Sequence, residues 1–329
     1  MTDRIEAEGI VAEVDRGCGF LWSVVRDGGR AIDVMHRAPW QEDAPGLETA
    51  AAHLRRLRGD FFCLPFADAS ADAAPLHGWT ANAGWSFSGQ ARAGDRVTGR
   101  WLLDRPACGA EVEKQVTLID GSPFLHQRHV IRGGAGRWAV ANHAMIRAGD
   151  AATIRTSPRQ LWATPRDPQE SDPARGRSHL AYPAQSADPR RFPAAAGGTV
   201  DLLDYPLSTA HEDFVMALEA GPGPGWVAVT LPGDGALFLS LRDAAVLPLS
   251  MFWHSNGGRH YGPWASRHKG VLGIEEGAGF DDPAMMTDGV RAEMARCGLA
   301  TGLALTPGGV VEVCHVTGQI DWPSGEAVA

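Results

Sequence analysis

Several polar residues sit inside apolar or turn-like stretches, where an apolar residue is the default. His143 lies in Val140-Ala141-Asn142-His143-Ala144-Met145, and two carboxylates close the run Gly273-Ile274-Glu275-Glu276. His77 opens His77-Gly78-Trp79, with Asn82, Gly84 and Trp85 just behind it. His211-Glu212-Asp213-Phe214-Val215 begins another apolar run with three ionisable groups, and His254 follows Trp253 at a strand end. A histidine and a carboxylate can exchange protons near neutral pH as general acid and general base. Acids and bases at strand ends beside indole rings also suit a carbohydrate cleft. Hydroxyls take charged or amide partners there, and the C–H face of a pyranose packs on tryptophan.

Each residue also has a plainer reading. Taken alone, His143 reads as a buried core histidine, and Glu275 as a solvated strand-end carboxylate beside a functional Glu276. His77 and His254 read as turn residues, Asp213 as half of an ion pair, and Trp79, Trp85, Trp253 and Trp264 as core. His126 and His129 look like a metal pair, but a separation of three on a strand points them to opposite faces. Arg55, Arg56 and Arg58 read as a solvated helix face. The five cysteines (Cys18, Cys63, Cys108, Cys297 and Cys314) are odd in number and scattered. They fit free, mostly buried thiols in a reducing compartment, not a disulfide frame or zinc knuckle, and no metal or other cofactor is expected.

The elements that must position these groups are short. Apolar runs at Gly19–Val25, Ala31–His36, Val97–Leu103, Val112–Ile119, Phe124–Ile131, Trp138–Ile146 and Phe214–Leu218 are separated by Gly, Pro and Asp. The pattern continues through Trp226–Leu231, Ala236–Leu241, Val246–Trp253, Gly270–Ile274, Ala300–Leu305 and Val310–Val316. Period-two patterning over short runs bounded by turn residues predicts antiparallel sheets. Forty glycines and 22 prolines supply the turns. Two patches carry helical spacing: Leu47–Leu57, and Asp288–Gly298 with Asp288 as its cap. There is no regular βαβ alternation, so a doubly wound sheet is disfavoured. Residues 165–198 are dense in Pro, Arg, Ser, Asp and Ala. They read as a surface insertion or lid within one domain spanning 1–329, in preference to a domain linker.

A hydrophobic fraction of 44% with 21% charged residues is ordinary for a globular chain of 329 residues. The net charge of -9 argues against a nucleic-acid partner and for a small neutral ligand. No apolar run is long enough for a membrane helix. Met1–Glu6 has neither the basic start nor the apolar stretch of a secretory signal, so a cytoplasmic location without membrane attachment is expected.

The ordered succession of these motifs resembles the aldose 1-epimerase (galactose mutarotase) family, in a divergent branch. The His77-Gly78 element followed by Trp79 or Trp85 is similar to the family's substrate-histidine element. Val140–His143 fits the slot of its general acid, following an extended hairpin of the Phe124–Ile131 type. His211–Val215 resembles an Asp-His-Asn-Phe-Val stretch, and Gly273–Glu276 a Gly-Ile-Glu-Pro strand end that carries the general base. Gly298–Ala300 and Leu305–Gly309 look like the last hairpin, so the likeness runs from about Val14 to Ile320. The departures are three. No arginine occurs in Cys63–Asp68, where the family usually has one; His211 stands where it has Asp; Glu276 stands where it has Pro.

The resemblance implies an all-β supersandwich of stacked antiparallel sheets with a few short helices. It implies a cofactor-free isomerase of sugar anomers, with Glu275 as base, His143 as acid, and His77, Trp79, His211, Asp213 and His254 as carbohydrate contacts. A non-catalytic carbohydrate-binding or sensing protein on the same scaffold is the alternative, since fold does not fix function. An enzyme for an acidic or phosphorylated sugar is weaker, because no arginine cluster is evident near these motifs.

Overall fold

Along the central strands, alternation is between two apolar environments and not between core and water. The computed structural model describes residues 1–27, 29–40, 44–67, 74–279 and 286–323. Asp68, the end of the Cys63–Asp68 stretch, lies outside them. One seven-stranded sheet runs in the order Gln185–Ser186, Arg159–Ala163, His211–Glu219, Leu249–Asn256, Val271–Ala278, Val140–Arg147, Phe62–Cys63. Every residue of His211–Glu219 and of Val271–Ala278 is buried. That is possible only if both faces of the sheet are covered.

On one face Val215, Phe252, Ile274 and Ala144 line up across the four middle strands. They belong to the larger core, shared with Val227, Phe238 and Val313 of a nine-stranded antiparallel sheet and with Ile5, Val14 and Val25 of an N-terminal four-stranded sheet. On the other face Met216, Met251 and Ala141 join a second core with Phe61, Phe66, Trp40 and Trp264, which come from loops. The stacked antiparallel sheets and scarce helix agree with the all-β reading.

Several strands escape the sequence pattern, Ala152–Thr156 and Arg159–Ala163 among them. Trp85–Ala93 forms an edge of the nine-stranded sheet and exposes most of its side chains, so its composition is polar. The hairpin of Thr2–Ala7 and Ile10–Asp15 likewise exposes alternate charged residues.

The first helical patch is a correction: only Ala52–Arg55 is helical, and Leu47–Ala50 is a run of turns. Its start is held from outside, because Asn82 Oδ1 accepts the His53 backbone N–H at 3.1 Å. The second patch forms as Asp288–Arg296, but its cap is Thr287, whose hydroxyl accepts the Val290 N–H at 3.3 Å.

Residues 165–198 are pinned to the sheet. Backbone bonds join Arg177 to Gly258 and Glu212, and the carboxylate of Asp213 accepts the backbone N–H groups of His179 and Leu180.

Candidate active site

Residues directly opposite on neighbouring antiparallel strands bring their side chains together on one face. His143 of Val140–Arg147 is opposite Glu275 of Val271–Ala278. Both point to the outer face, where Nε2 of His143 lies 3.1 Å from Oε1 of Glu275. Gly273 precedes them for a steric reason: a Cβ there would come within 2.9 Å of Trp253 and 3.3 Å of Glu275 Oε1. The pair forms the floor of a cavity of about 290 Å³, near the lower end of the ~300–1,000 Å³ common for small-molecule sites.

The walls come from loops. Phe61 stacks on the His143 ring at 4.4 Å, and its carbonyl accepts the His143 backbone N–H at 2.8 Å. His77 meets His143 edge to face at 5.6 Å and His53 at 5.0 Å. The turn that presents His77 is sharp: φ is 69° at His77 and 72° at Gly78. A Cβ on Gly78 would fall 2.0 Å from the Leu64 carbonyl oxygen, so only glycine fits. Asn82 ties this turn to the helix behind it. Its Nδ2 donates to the Leu76 and Gly78 carbonyls, and its Oδ1 lies 2.9 Å from His53 Nδ1. Trp253 and Trp264 complete the aromatic wall, and the exposed Leu76 stands at the rim.

Arg259 also lines the cavity. Its Nη2 donates to Gln169 at 3.2 Å, its Nε lies 3.5 Å from Glu212, and its guanidinium stacks over Trp264 at 4.4 Å. Gln169 belongs to the 165–198 excursion, so that segment supplies one wall of the cavity.

Electrostatically the site favours uncharged forms. Burial lowers His143 to about 3 and His53 to about 4. Burial, then His53 and His143, push His77 well below the usual imidazole range. Burial raises the Glu275 carboxyl well above the ordinary carboxylate range. At neutral pH one titratable proton is therefore shared between Glu275 and His143, and the neutral pair is favoured in the empty cavity. The Nδ1 atoms of both His77 and His143 are buried without a hydrogen-bond partner. Buried polar atoms are normally paired; these two belong to cavity-lining residues, unlike the unpartnered nitrogens of His129, His211 and His254.

The structure brings His77, His143 and Glu275 together and sends the other sequence candidates elsewhere. His211, Asp213 and His254 occupy the opposite, inter-sheet face, as a two-residue period requires. His211 Nδ1 lies 2.8 Å from Asp213, which also receives the Tyr182 hydroxyl and anchors the excursion. His254 stacks on Tyr205 at 5.9 Å. In the His211–Asp213 triplet it is Glu212 that faces outward, accepting from Trp253 Nε1 and, at 2.9 Å, from Ser255. Trp79 lies outside the cavity, with the Arg105 guanidinium stacked 3.5 Å over its ring. His53 and Arg259 are cavity residues that the motif reading passed over. Arg259 follows Gly257-Gly258 by one residue, and only loop closure brings it to the site.

The chain is thus a supersandwich of antiparallel sheets with a His143–Glu275 pair at the floor of a cavity on one face. No protein-family model matches this chain, and no curated protein matches it. Solved structures do. A galactose mutarotase-like protein from Lactobacillus casei is 13% identical, covers 97% of this chain and all of its own, with a TM-score of 0.59. A candidate aldose 1-epimerase from Escherichia coli K12 is 11% identical, with 97% of this chain and 99% of that one covered and a TM-score of 0.61. A galactose mutarotase-like protein from Clostridium acetobutylicum is 10% identical over 98% of both chains, with a TM-score of 0.53. The fold of this chain is the galactose mutarotase-like fold.

Proposed function

We propose that this chain is an aldose 1-epimerase-like isomerase, which interconverts the anomers of a monosaccharide without a cofactor. The observation that carries the reading is the opposed pair of Glu275 and His143 at the floor of a sugar-sized, aromatic-walled cavity. The fold shared with mutarotase-like proteins supports it.

Anomer exchange needs one base and one acid at a single hemiacetal, and the shared proton supplies both. With that proton on His143, the Glu275 carboxylate removes the proton of the anomeric hydroxyl. The C1–O5 bond breaks, its electron pair stays on the ring oxygen, and His143 donates its proton there. The open-chain aldehyde then faces a protonated Glu275 and a neutral His143, which is the pairing that burial favours in the empty site. Rotation about C1–C2 and closure on the other face reverse both transfers and restore the pair. His77 is suited to bind a hydroxyl through its free Nδ1, while Trp253 and Trp264 offer flat surfaces to the C–H face of the ring. Arg259 and Gln169 add donors at the cavity wall, the polar position that the Cys63–Asp68 stretch lacks.

A second reading, a carbohydrate-binding protein without turnover, is favoured by one feature. Glu275 and His143 already satisfy each other, and a sugar must part them before either can act. Polarimetry of freshly dissolved anomers from a panel of aldoses separates the two. Acceleration of mutarotation by the intact protein is the expected result; binding of a sugar with no acceleration of its mutarotation establishes the binder instead.

A further inference from the structure

A second cavity, of about 540 Å³, lies behind the segment that carries His53. Leu57 contributes to both cavities and stands between them. Four guanidinium groups line the second one, from Arg37, Arg55, Arg56 and Arg58, with the indoles of Trp22 and Trp40. Arg56 is held by Asp15 at 2.9 Å. Among the described residues Asp15 is the only carboxylate in the lining, and it leaves the other three arginines without an ion pair.

Two details set this cluster apart from an ordinary solvated face. Arg37 and Arg58 are directly opposite each other in an isolated antiparallel bridge. Like charges at such positions are destabilising, and nothing in the fold requires two arginines there. Arg58 is also not free in solvent. Its guanidinium lies flat on Trp22 at 3.2 Å, and its Nε is buried without a hydrogen-bond partner. Stacking fixes the plane of the donor fork and leaves its edge directed along the ring surface.

We infer that this cavity is a binding site for a phosphate monoester, separate from the site of Glu275 and His143. A dianion placed among Arg37, Arg55 and Arg58 offsets their mutual repulsion. Its three peripheral oxygens take donors from several directions, which the two coplanar oxygens of a carboxylate do not. The volume leaves room for an organic group beyond the phosphoryl oxygens. On a chain with a net charge of -9, such a concentration of arginine without ion pairs among the described residues is a local feature and not a consequence of overall composition.

The test is calorimetric titration of the full chain with inorganic phosphate and with phenyl phosphate, at constant ionic strength set with chloride. Both should bind with one-to-one stoichiometry, the ester at least as tightly as the free ion. Exclusive binding of inorganic phosphate would identify the free ion as the source of the same chemistry. Arg37→Gln with Arg58→Gln should weaken binding by about tenfold or more, the scale expected for lost charge-assisted hydrogen bonds. Arg37→Gln alone alters an exposed side chain, so folding is not at stake, and it should weaken binding about threefold or more on the same grounds. Arg259→Gln, in the other cavity, should leave the affinity unchanged. The inference is overturned if chloride-matched phosphate gives no binding, or if the single and double arginine variants bind like the parent. It is equally overturned if Arg259→Gln abolishes binding, which would move the phosphate to the first cavity.

Discussion

Glu275 and Glu276 are chain neighbours, both buried, on opposite faces of one strand. Glu276 faces the inter-sheet core with a full set of partners: Ser240 at 2.9 Å, Ser250 at 2.5 Å and the Arg242 guanidinium at 2.8 Å. Arg242 in turn pairs with Glu219, which also meets Arg159 at 2.6 Å. Glu275, on the cavity face, has His143 alone. The same division separates the charged pairs. Asp213 divides its oxygens among His211, the Tyr182 hydroxyl and the backbone of the excursion, whereas Glu275 meets a histidine on the cavity face. A buried carboxylate with every lone pair engaged holds elements together. One with a single, titratable partner is available for chemistry.

The largest expected effect comes from the histidines, which both faces keep neutral. Burial sets His36 and His53 at about 4, and His143 and His254 at about 3. Unfolded histidine binds a proton near pH 6.5, so below that value the unfolded state takes up protons that the folded state refuses. The folded pKa values are depressed, so this stability is present above about pH 6.5 and is lost as pH falls towards the folded values. The proton that Glu275 already carries in the folded state offsets the one that His143 refuses, so three such groups acting over about two pH units amount to something on the order of 8 kcal/mol, comparable to the stability of a whole domain. Urea melts from pH 7.5 to 4.5 should show a steep monotonic decline; a flat profile would mean that these rings are not buried neutral.

The next effect bears directly on the two faces. Glu276→Gln leaves the buried Arg242 and Arg159 to share Glu219 as their one carboxylate among the described residues and should cost about 3–5 kcal/mol in urea denaturation. Glu275→Gln removes a carboxyl that burial already disfavours, and should change stability by less than about 1 kcal/mol in either direction. Equal losses would erase the distinction between the faces. A smaller effect is local. Asp213→Asn weakens the clasp on His179 and Leu180, so limited proteolysis should cut within residues 165–198 well before the rest of the chain. Unchanged cleavage would show that the backbone bonds of Arg177 alone secure the segment.

Much of this division was legible in period two, which places His211, Asp213 and His254 on the face away from the cavity. Gly-Ile-Glu pointed to Glu275 through its likeness to a family strand end, and the structure adds that Gly273 leaves room for Trp253. In His211-Glu212-Asp213 the motif likeness favoured the outer two residues. Yet Phe214, an outward neighbour two positions on, shares its face with Glu212 and not with Asp213. His254 fails in the same way beside Trp253. The Leu47–Leu57 patch shows another limit, because its one helical turn starts where Asn82 reaches it from 29 positions away. His53 and Arg259 could not be found by pattern, since turns and loop closure bring them to the cavity. Most long strands were legible, whereas the exposed edge Trp85–Ala93 and short strands such as Phe62–Cys63 and Arg159–Ala163 were not.

Glu275 is proposed to move a proton, while the neighbouring Glu276 holds the sheets together through Ser240, Ser250 and Arg242. Glu275→Gln preserves size and hydrogen bonding and removes the base. Its effect is best measured as mutarotation turnover by polarimetry beside a binding titration with the same sugar. Turnover should fall by roughly 10²-fold or more while affinity changes by less than about tenfold. Turnover that survives in Glu275→Gln, or a loss that merely tracks weakened binding, would contradict the account.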